Sequence, residues 1–258
     1  MKALGWNCQG MGKSLGSVKM SHLARMIYST KPQVTFVSEI KSSKVKSSDH
    51  NARFNMYNSF VVPSRRRSGG LWMMWSDDLE VTVHSSSFYV ILATAVYNTT
   101  NQKFGLVCIY GDPYDRQTSQ IWNDVAAFVY DNPSIPMLCI GDMNELFNDM
   151  DKNLPNINRS RMYAFRSFVK NCGLFDLGFS GPAYTWTNKH FSYKPTFERL
   201  DRCLDKQTLF RNGVMLIPFQ MFIICRSFMV LVITLLFFFQ LKALFIELKR
   251  LSSLKIGG

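Results

Sequence analysis

The sequence Leu138-Cys139-Ile140-Gly141-Asp142-Met143-Asn144-Glu145 is the stretch that decides the fold. Its first three residues are apolar, which is typical of a short buried strand. A glycine ends the run, and an acid, an amide and a second acid follow at once. A strand that presents Asp142 and Asn144 at its end is a common scaffold for a functional site. An ordinary turn after a strand explains the same pattern, so both interpretations stay open on this stretch alone.

Similar stretches occur elsewhere, because several other apolar runs also end in a polar side chain. The run from Lys2 to Trp6 leads into Asn7, the run from Val34 leads into Glu39, and the run from Phe104 ends at Tyr110. Asp201 lies in an alternating stretch between two arginines. Taken singly, Glu39 fits a solvated strand end and Asp201 fits a charged strand face. Together they predict an oxygen-rich pocket where strands end on one face, which suits Mg²⁺.

The remaining periodicity predicts strands with interspersed helices. Apolar residues recur at helical spacing over 17–29, 118–130 and 161–172, whereas 79–110 holds three strand-like runs joined by short turns. Short turns imply antiparallel pairing of those three strands. We therefore predict an α/β (α+β) sandwich of two β-sheets with helices.

The composition indicates a globular protein with a polyanionic partner. Net charge is +12, and three consecutive arginines, Arg65, Arg66 and Arg67, precede a Gly-Gly turn. Such a loop suits contacts to a nucleic-acid backbone, and an exposed basic loop explains it equally well. The six cysteines are too far apart for zinc spacing and lie largely in apolar runs, and no secretory signal opens the chain. We expect reduced thiols and an intracellular location, nucleus or cytoplasm.

The composition changes after about residue 212. Residues 214–239 hold 21 apolar residues among 26, and Arg226 is their only charge. The length suits a membrane span, but Pro218, Gln220 and Arg226 interrupt it. Three interpretations stay open for 213–258: a membrane-anchoring helix, a buried core segment, or a frameshifted read-through. If 214–239 inserts, the protein is placed at a membrane.

Six motifs occur in order along the chain. They are Trp-Asn-Cys-Gln-Gly at 6–10, Glu39 followed by Lys41, Ile-Tyr-Gly at 109–111, Gly-Asp-Met-Asn-Glu at 141–145, Asp-Leu-Gly-Phe-Ser-Gly-Pro-Ala-Tyr-Thr-Trp-Thr-Asn at 176–188 and Arg-Leu-Asp-Arg-Cys-Leu at 199–204. Together they resemble the endonuclease/exonuclease/phosphatase superfamily, and most of all the endonuclease domain of plant LINE-type (non-LTR) retrotransposons. The likeness covers 1–212.

The resemblance implies a four-layer sandwich of two mostly antiparallel sheets flanked by helices, and a Mg²⁺- or Mn²⁺-dependent cleavage of DNA phosphodiesters. Glu39 would be the main metal ligand, with Asn7 and Asp201 near the metal. Asp142 would orient or deprotonate the attacking water. The remaining two residues, Asn144 and Tyr110, would position and stabilise the phosphate.

The chain departs from the family at its end. Members normally finish with Ser-Asp-His on a late strand, whereas here no histidine follows His190 and no aspartate follows Asp205. The resemblance therefore implies missing or altered last strands and an impaired hydrolase. Two alternatives stay open: a non-catalytic nucleic-acid-binding remnant, and a membrane-tethered phosphatase of the same superfamily.

Overall fold

The computed structural model describes residues 1–11, 18–41, 54–65, 68–188 and 194–206, together with the backbone of four short strands in 210–234. Two six-stranded sheets form the centre of this structure. Both are mixed sheets in which antiparallel pairs outnumber parallel ones, as predicted.

The first sheet, sheet A, has the strand order β16-β15-β1-β2-β4-β3. Its central strands β1 and β2 are parallel, so both point their carboxyl ends to the same edge. Its strands are β1 (Lys2–Asn7), β2 (Val34–Ser38), β3 (Asn58–Val62), β4 (Leu71–Trp75), β15 (Gln220–Ile224) and β16 (Val230–Thr234).

The second sheet, sheet B, has the strand order β5-β6-β7-β8-β12-β9. The first three strands form an antiparallel meander, which confirms the prediction made from their short turns. Its strands are β5 (Leu79–Ser86), β6 (Val90–Tyr97), β7 (Lys103–Tyr110), β8 (Met137–Asp142), β9 (Leu174–Asp176) and β12 (Asp201–Lys206). Two short pairs lie outside the sheets: β10 (Trp186–Thr187) with β11 (Phe197–Glu198), and β13 (Phe210–Arg211) with β14 (Val214–Met215).

Three helices cover the outer faces. They are α1 (Val18–Thr30), α2 (Thr118–Asp131) and α3 (Arg159–Asn171), close to the three predicted ranges. Three buried apolar clusters separate the layers. One packs α1 on sheet A, one lies between the sheets, and one packs α2 and α3 on sheet B. The layers therefore run helix, sheet, sheet, helices, which confirms the four-layer sandwich.

The apolar tail contributes backbone to sheet A. Gln220–Ile224 pairs in parallel with β1, and Val230–Thr234 pairs antiparallel with Gln220–Ile224. The described part of 214–239 is extended, so it does not support a membrane-spanning helix over this range. Within the described residues no helix has the length and apolar character that crossing a bilayer requires. Two strands of sheet A, β15 and β16, follow β12, so the expectation of missing last strands is corrected in part.

The cysteines are consistent with reduced thiols. Five of them are buried and unpaired: Cys8, Cys108, Cys139, Cys172 and Cys203. Burial raises the pKa of Cys8 to about 12 and that of Cys172 to about 11, so both thiols stay protonated near neutral pH. The sixth, Cys225, lies outside the described residues.

Candidate functional site

The parallel strand pairs of the two sheets carry the predicted polar residues at their carboxyl ends. In sheet A, Asn7 is the last residue of β1 and pairs with Ser38, directly before Glu39. In sheet B, Tyr110 ends β7 and pairs with Asp142, which ends β8. The two sheets face one another through a common core, so four predicted site residues reach one edge of the sandwich.

Gly141 lets β8 deliver Asp142 to this edge. Its φ is +138°, a conformation that side chains rarely adopt. A Cβ at this position would lie 1.9 Å from the carbonyl oxygen of Ile109 on β7. The glycine of the Gly-Asp motif is therefore required by the close approach of β7 and β8.

Asp142 is held by two hydrogen bonds from opposite sides. The Asn7 Nδ2 donates to its Oδ2 at 2.8 Å, and the backbone N–H of Asn144 donates to its Oδ1 at 2.9 Å. Asn144 has a left-handed φ of +51°, and its own Nδ2 donates to the Gly111 carbonyl oxygen at 2.6 Å. The Asp-Met-Asn turn is thus fixed both to β1 and to the end of β7.

Glu39 is engaged by a hydroxyl and an ammonium group. The Tyr110 hydroxyl donates a short hydrogen bond to its Oε1, and the Lys41 Nζ lies 2.6 Å from its Oε2. Burial and the negative charge of Glu39 raise the pKa of Tyr110 well above its ordinary value. The phenol therefore stays protonated and acts as a hydrogen-bond donor.

An open cavity of about 780 Å³ joins these groups. Its wall includes Asn7, Glu39, Tyr110, Asp142 and Asn144. The structure thus brings five of the six predicted site residues to one solvent-connected space large enough for a nucleotide-sized group.

Asp201 lies next to this cavity and is absent from its described wall. It begins β12, pairs directly with Asp142, and has only 7% of its surface exposed. Its backbone N–H donates to the Thr185 hydroxyl at 3.1 Å. The flanking Arg199 and Arg202 form buried ion pairs with acids, so this stretch is not a solvated charged strand face. A role of Asp201 near a metal stays a prediction.

The predicted basic loop is described only at its ends. Arg65 forms a bridge with Ser68, and its guanidinium lies 5.7 Å from the centre of the Phe88 ring. Ser68 and Phe88 both line the cavity, so Arg65 is close to its mouth. Arg66 and Arg67 lie outside the described residues.

The oxygen atoms of the site suit a divalent cation that has few protein ligands. No group of three His, Cys, Asp or Glu side chains within the described ranges is arranged to hold a metal ion. Mg²⁺, however, is often held by one or two carboxylates, with water completing its shell. The Glu39 carboxylate and the Asn7 amide line an open cavity and offer such oxygen ligands.

The sequence analysis missed an ion pair that supports the site. Glu145 is 3% exposed, and the Arg161 Nη2 lies 2.7 Å from its Oε1. The same Nη2 donates to the backbone carbonyl oxygens of Asn144, at 3.2 Å, and Asp112, at 3.4 Å. Arg161 therefore ties α3 to the turn that carries Asn144. An acid directly after the Asp-x-Asn motif was the available signal, but its partner lies 16 residues away.

Comparison with known proteins identifies the family. The model of the Endonuclease/Exonuclease/phosphatase family matches residues 4–225, so the chain belongs to that family. No curated protein matches the chain.

Solved structures with the same fold include three nucleases. AP endonuclease LMAP from Leishmania major has a TM-score of 0.62 at 15% identity, covering 80% of this chain and 78% of that one. The endonuclease domain of TRAS1, a telomere-specific non-LTR retrotransposon, has a TM-score of 0.56 at 14% identity, with coverages of 73% and 80%. The 3'-5' exonuclease NExo from Neisseria meningitidis has a TM-score of 0.58 at 15% identity, with coverages of 80% and 87%. At these identities the likeness establishes the fold.

Proposed function

We propose that this protein is a DNA phosphodiester hydrolase that depends on Mg²⁺ or Mn²⁺ and works slowly. The observation that carries the proposal is the meeting of two hydrogen-bonded groups in one cavity. Asn7, Asp142 and Asn144 form one group, and Glu39 with Tyr110 forms the other. The fold family and the net charge of +12 support a polyanionic phosphodiester substrate.

Each residue has a role that follows from its contacts. Asp142 is held at the cavity wall by hydrogen bonds from Asn7 and Asn144, and its carboxylate takes up a proton from the attacking water molecule. Asn7 and Asn144 act as positioning residues for that carboxylate. Tyr110, held protonated, donates its single hydroxyl hydrogen to Glu39 in this structure, so contact with a phosphate oxygen would require that hydrogen to turn away from Glu39. The Glu39 carboxylate, with Asn7 beside it in the cavity wall, would hold the cation.

A bound divalent cation would supply positive charge for the phosphate and its leaving oxygen. Lys41, at 2.6 Å from Glu39, supplies a weaker positive charge at the same carboxylate. Lys41 would compete with a cation for Glu39, so we expect Lys41 to move away from a carboxylate that holds a metal.

The reduced rate follows from the missing terminal Asp-His pair. Among the described residues that line the cavity there is no histidine. Loss of one such preorganised donor to a transition-state oxyanion typically lowers a rate by about 10²–10³.

We propose that the chain derives from a non-LTR retroelement of the plant type, on the strength of the ordered motifs at 176–188 and 199–204.

A second function, non-catalytic nucleic-acid binding, is favoured by the Glu39–Lys41 ion pair. An ammonium group at 2.6 Å already neutralises the carboxylate that would hold the metal. A protein in which this pair never opens would bind DNA through its basic surface without cutting it.

The deciding experiment is nicking of supercoiled plasmid by the full-length protein in Mg²⁺, in Mn²⁺ and in EDTA. We expect slow nicking that EDTA abolishes and that Glu39→Ala reduces at least a hundredfold. Glu80→Ala, which removes an exposed acid on β5, is the matched control and should nick like the parent protein.

The alternative outcomes separate the two functions. A folded protein that binds DNA and does not nick it in either metal overturns the hydrolase and leaves the binding module. Nicking that persists unchanged in Glu39→Ala would remove Glu39 from the metal site.

A further inference from the structure

A tyrosine and an arginine form an exposed pair at the rim of the cavity. Tyr114 lines the cavity, yet 73% of its surface is exposed. The Arg116 guanidinium carbon lies 4.8 Å from the centre of its ring, and Arg116 also lines the cavity. The arginine covers one face of the ring, so the tyrosine has its other face available for a planar partner.

The loop that carries this pair is anchored by a buried aspartate. Asp112 is 1% exposed, and its carboxylate accepts hydrogen bonds at 2.9 Å from the backbone N–H groups of Tyr114, Arg116 and Gln117. Asp112 follows Tyr110 by two residues, so the loop is a direct extension of β7. The two side chains are therefore presented at a fixed place beside Glu39 and Asp142, which lowers the entropy lost on binding.

Among the described residues, the charged contact of Arg116 is the one to the Tyr114 ring. Across the described ranges Arg116 makes no ion pair with a carboxylate, in contrast to Arg161, Arg199 and Arg202. A single exposed aromatic residue is common on protein surfaces and needs no function. An anchored aromatic ring that is backed by a guanidinium without a carboxylate partner in the described ranges, at the mouth of the cavity, is a more specific arrangement.

We propose that the Tyr114–Arg116 pair binds a DNA strand with an unpaired base next to the phosphate that enters the cavity. The open face of Tyr114 stacks on the unpaired base, and Arg116 contacts an adjacent phosphate. Stacking on Tyr114 requires a base that is not stacked inside the duplex. This contact therefore favours DNA with an unpaired or easily unstacked base over a fully paired duplex. This inference rests on the proposed function, because it places the phosphodiester beside Glu39 and Asp142.

The test is DNA binding by the full-length protein in EDTA, which removes catalysis from the readout. Fluorescence anisotropy compares a fully paired duplex with the same duplex carrying one unpaired base. The parent protein should prefer the second. Tyr114→Ala should weaken binding to the unpaired-base duplex by about tenfold and binding to the paired duplex little. Tyr114→Phe should keep the preference.

Two further variants locate the effect. Arg116→Ala should weaken binding to both duplexes. It should also lower the salt dependence of the affinity by the amount expected for about one phosphate contact. Tyr28→Ala is the matched control: Tyr28 is 82% exposed near the end of α1, and it is not part of the cavity wall. We expect Tyr28→Ala to bind both duplexes like the parent protein.

Three results would overturn the inference. The first is equal affinity of the parent protein for the two duplexes. The second is a Tyr114→Ala variant that loses affinity equally for the two duplexes. The third is a Tyr28→Ala variant that loses as much affinity for the unpaired-base duplex as Tyr114→Ala does. Failure of the hydrolase proposal would be recognised separately. A protein that does not nick plasmid, but still prefers the unpaired-base duplex through Tyr114, would contradict the hydrolase proposal and leave the binding inference intact.

Discussion

Two buried aspartates in sheet B differ in what surrounds them. Asp142 and Asp205 lie at opposite ends of the β8–β12 ladder, and both have less than 5% of their surface exposed. Asp142 accepts hydrogen bonds from Asn7 and Asn144. Neither side-chain oxygen of Asp205 has a hydrogen-bond partner among the described residues, and burial raises the pKa of this carboxyl to about 8.

The difference shows that burial alone does not make a site. At Asp142, burial comes with two hydrogen-bond donors and with an open cavity in front of the carboxylate. At Asp205, burial removes water from the charged form and outweighs the opposing effect of the Lys206 backbone, so the neutral acid is favoured. Asp151 and Asp176 are a third case, because Arg199 and Arg202 neutralise them on the helix side of the sheet.

The largest expected effect is on activity at Asp142. Asp142→Asn keeps the size of the side chain and removes the base, so the nicking rate should fall by about 10²–10⁴. The melting temperature should change little. Asp78→Asn, which alters an exposed acid between β4 and β5, should nick at the parent rate. An Asp142→Asn protein that nicks like the parent would show that another group deprotonates the water.

The next effect is on stability at the paired acids. Arg202 is 0% exposed and bonds to both Asp151 and Asp176. Arg202→Met leaves these carboxylates short of their cation, and the free energy of unfolding should fall by about 3–5 kcal/mol. Urea denaturation measures the change.

The matched control for Arg202 is Arg25→Met, an exposed arginine on α1 whose loss should change stability by no more than about 0.5 kcal/mol. Adding Asp151→Asn alone to Arg202→Met should restore part of the loss, because Asp176 then pairs with Arg199 and no excess buried carboxylate remains. No recovery would mean that the arginine acts through packing.

The third effect is at Asp205, and it depends on pH. The folded state holds the proton up to about pH 8, whereas the unfolded chain releases it near the ordinary value of 3.8. The folded state therefore binds more protons between these values, and stability falls as pH rises, by at most about 1.4 kcal/mol per pH unit. Asp205→Asn should abolish this dependence and stabilise the protein more at pH 8 than at pH 5.

Thermal denaturation across pH 5–8 measures the Asp205 effect. Asp131→Asn changes an exposed acid at the end of α2, and its effect should be the same at both pH values. A parent protein that is equally stable at pH 5 and pH 8 would mean that Asp205 ionises without cost in the folded state.

Most of the fold could be predicted from local patterns. Apolar periodicity located α1, α2 and α3 to within two residues and identified the β5–β7 meander. Turn chemistry and side-chain period are local properties, so they can be read without knowing the partners of a strand. The tail was different, because an apolar run of that length fits a helix or a strand equally well. Pairing of Gln220–Ile224 with β1 is a contact between residues more than 200 positions apart.

Local sequence is sufficient to identify polar residues at or just after the ends of the strands. Asn7, Glu39, Tyr110, Asp142 and Asn144 were all identified from the polar side chains that follow apolar runs, since this signal is contained in a few neighbouring residues. The family likeness added the order of the motifs and the missing terminal Asp-His.

The tertiary structure alone decided which of these groups touch. Asn7 donates to Asp142 across 135 residues of sequence, and Tyr110 donates to Glu39 across 71. It also decided that Asp142 is supported and Asp205 is not, although both are single acids near apolar strand residues. Hydrogen bonding and desolvation depend on atoms brought together by packing of the two sheets, and no local pattern in the chain encodes those distances.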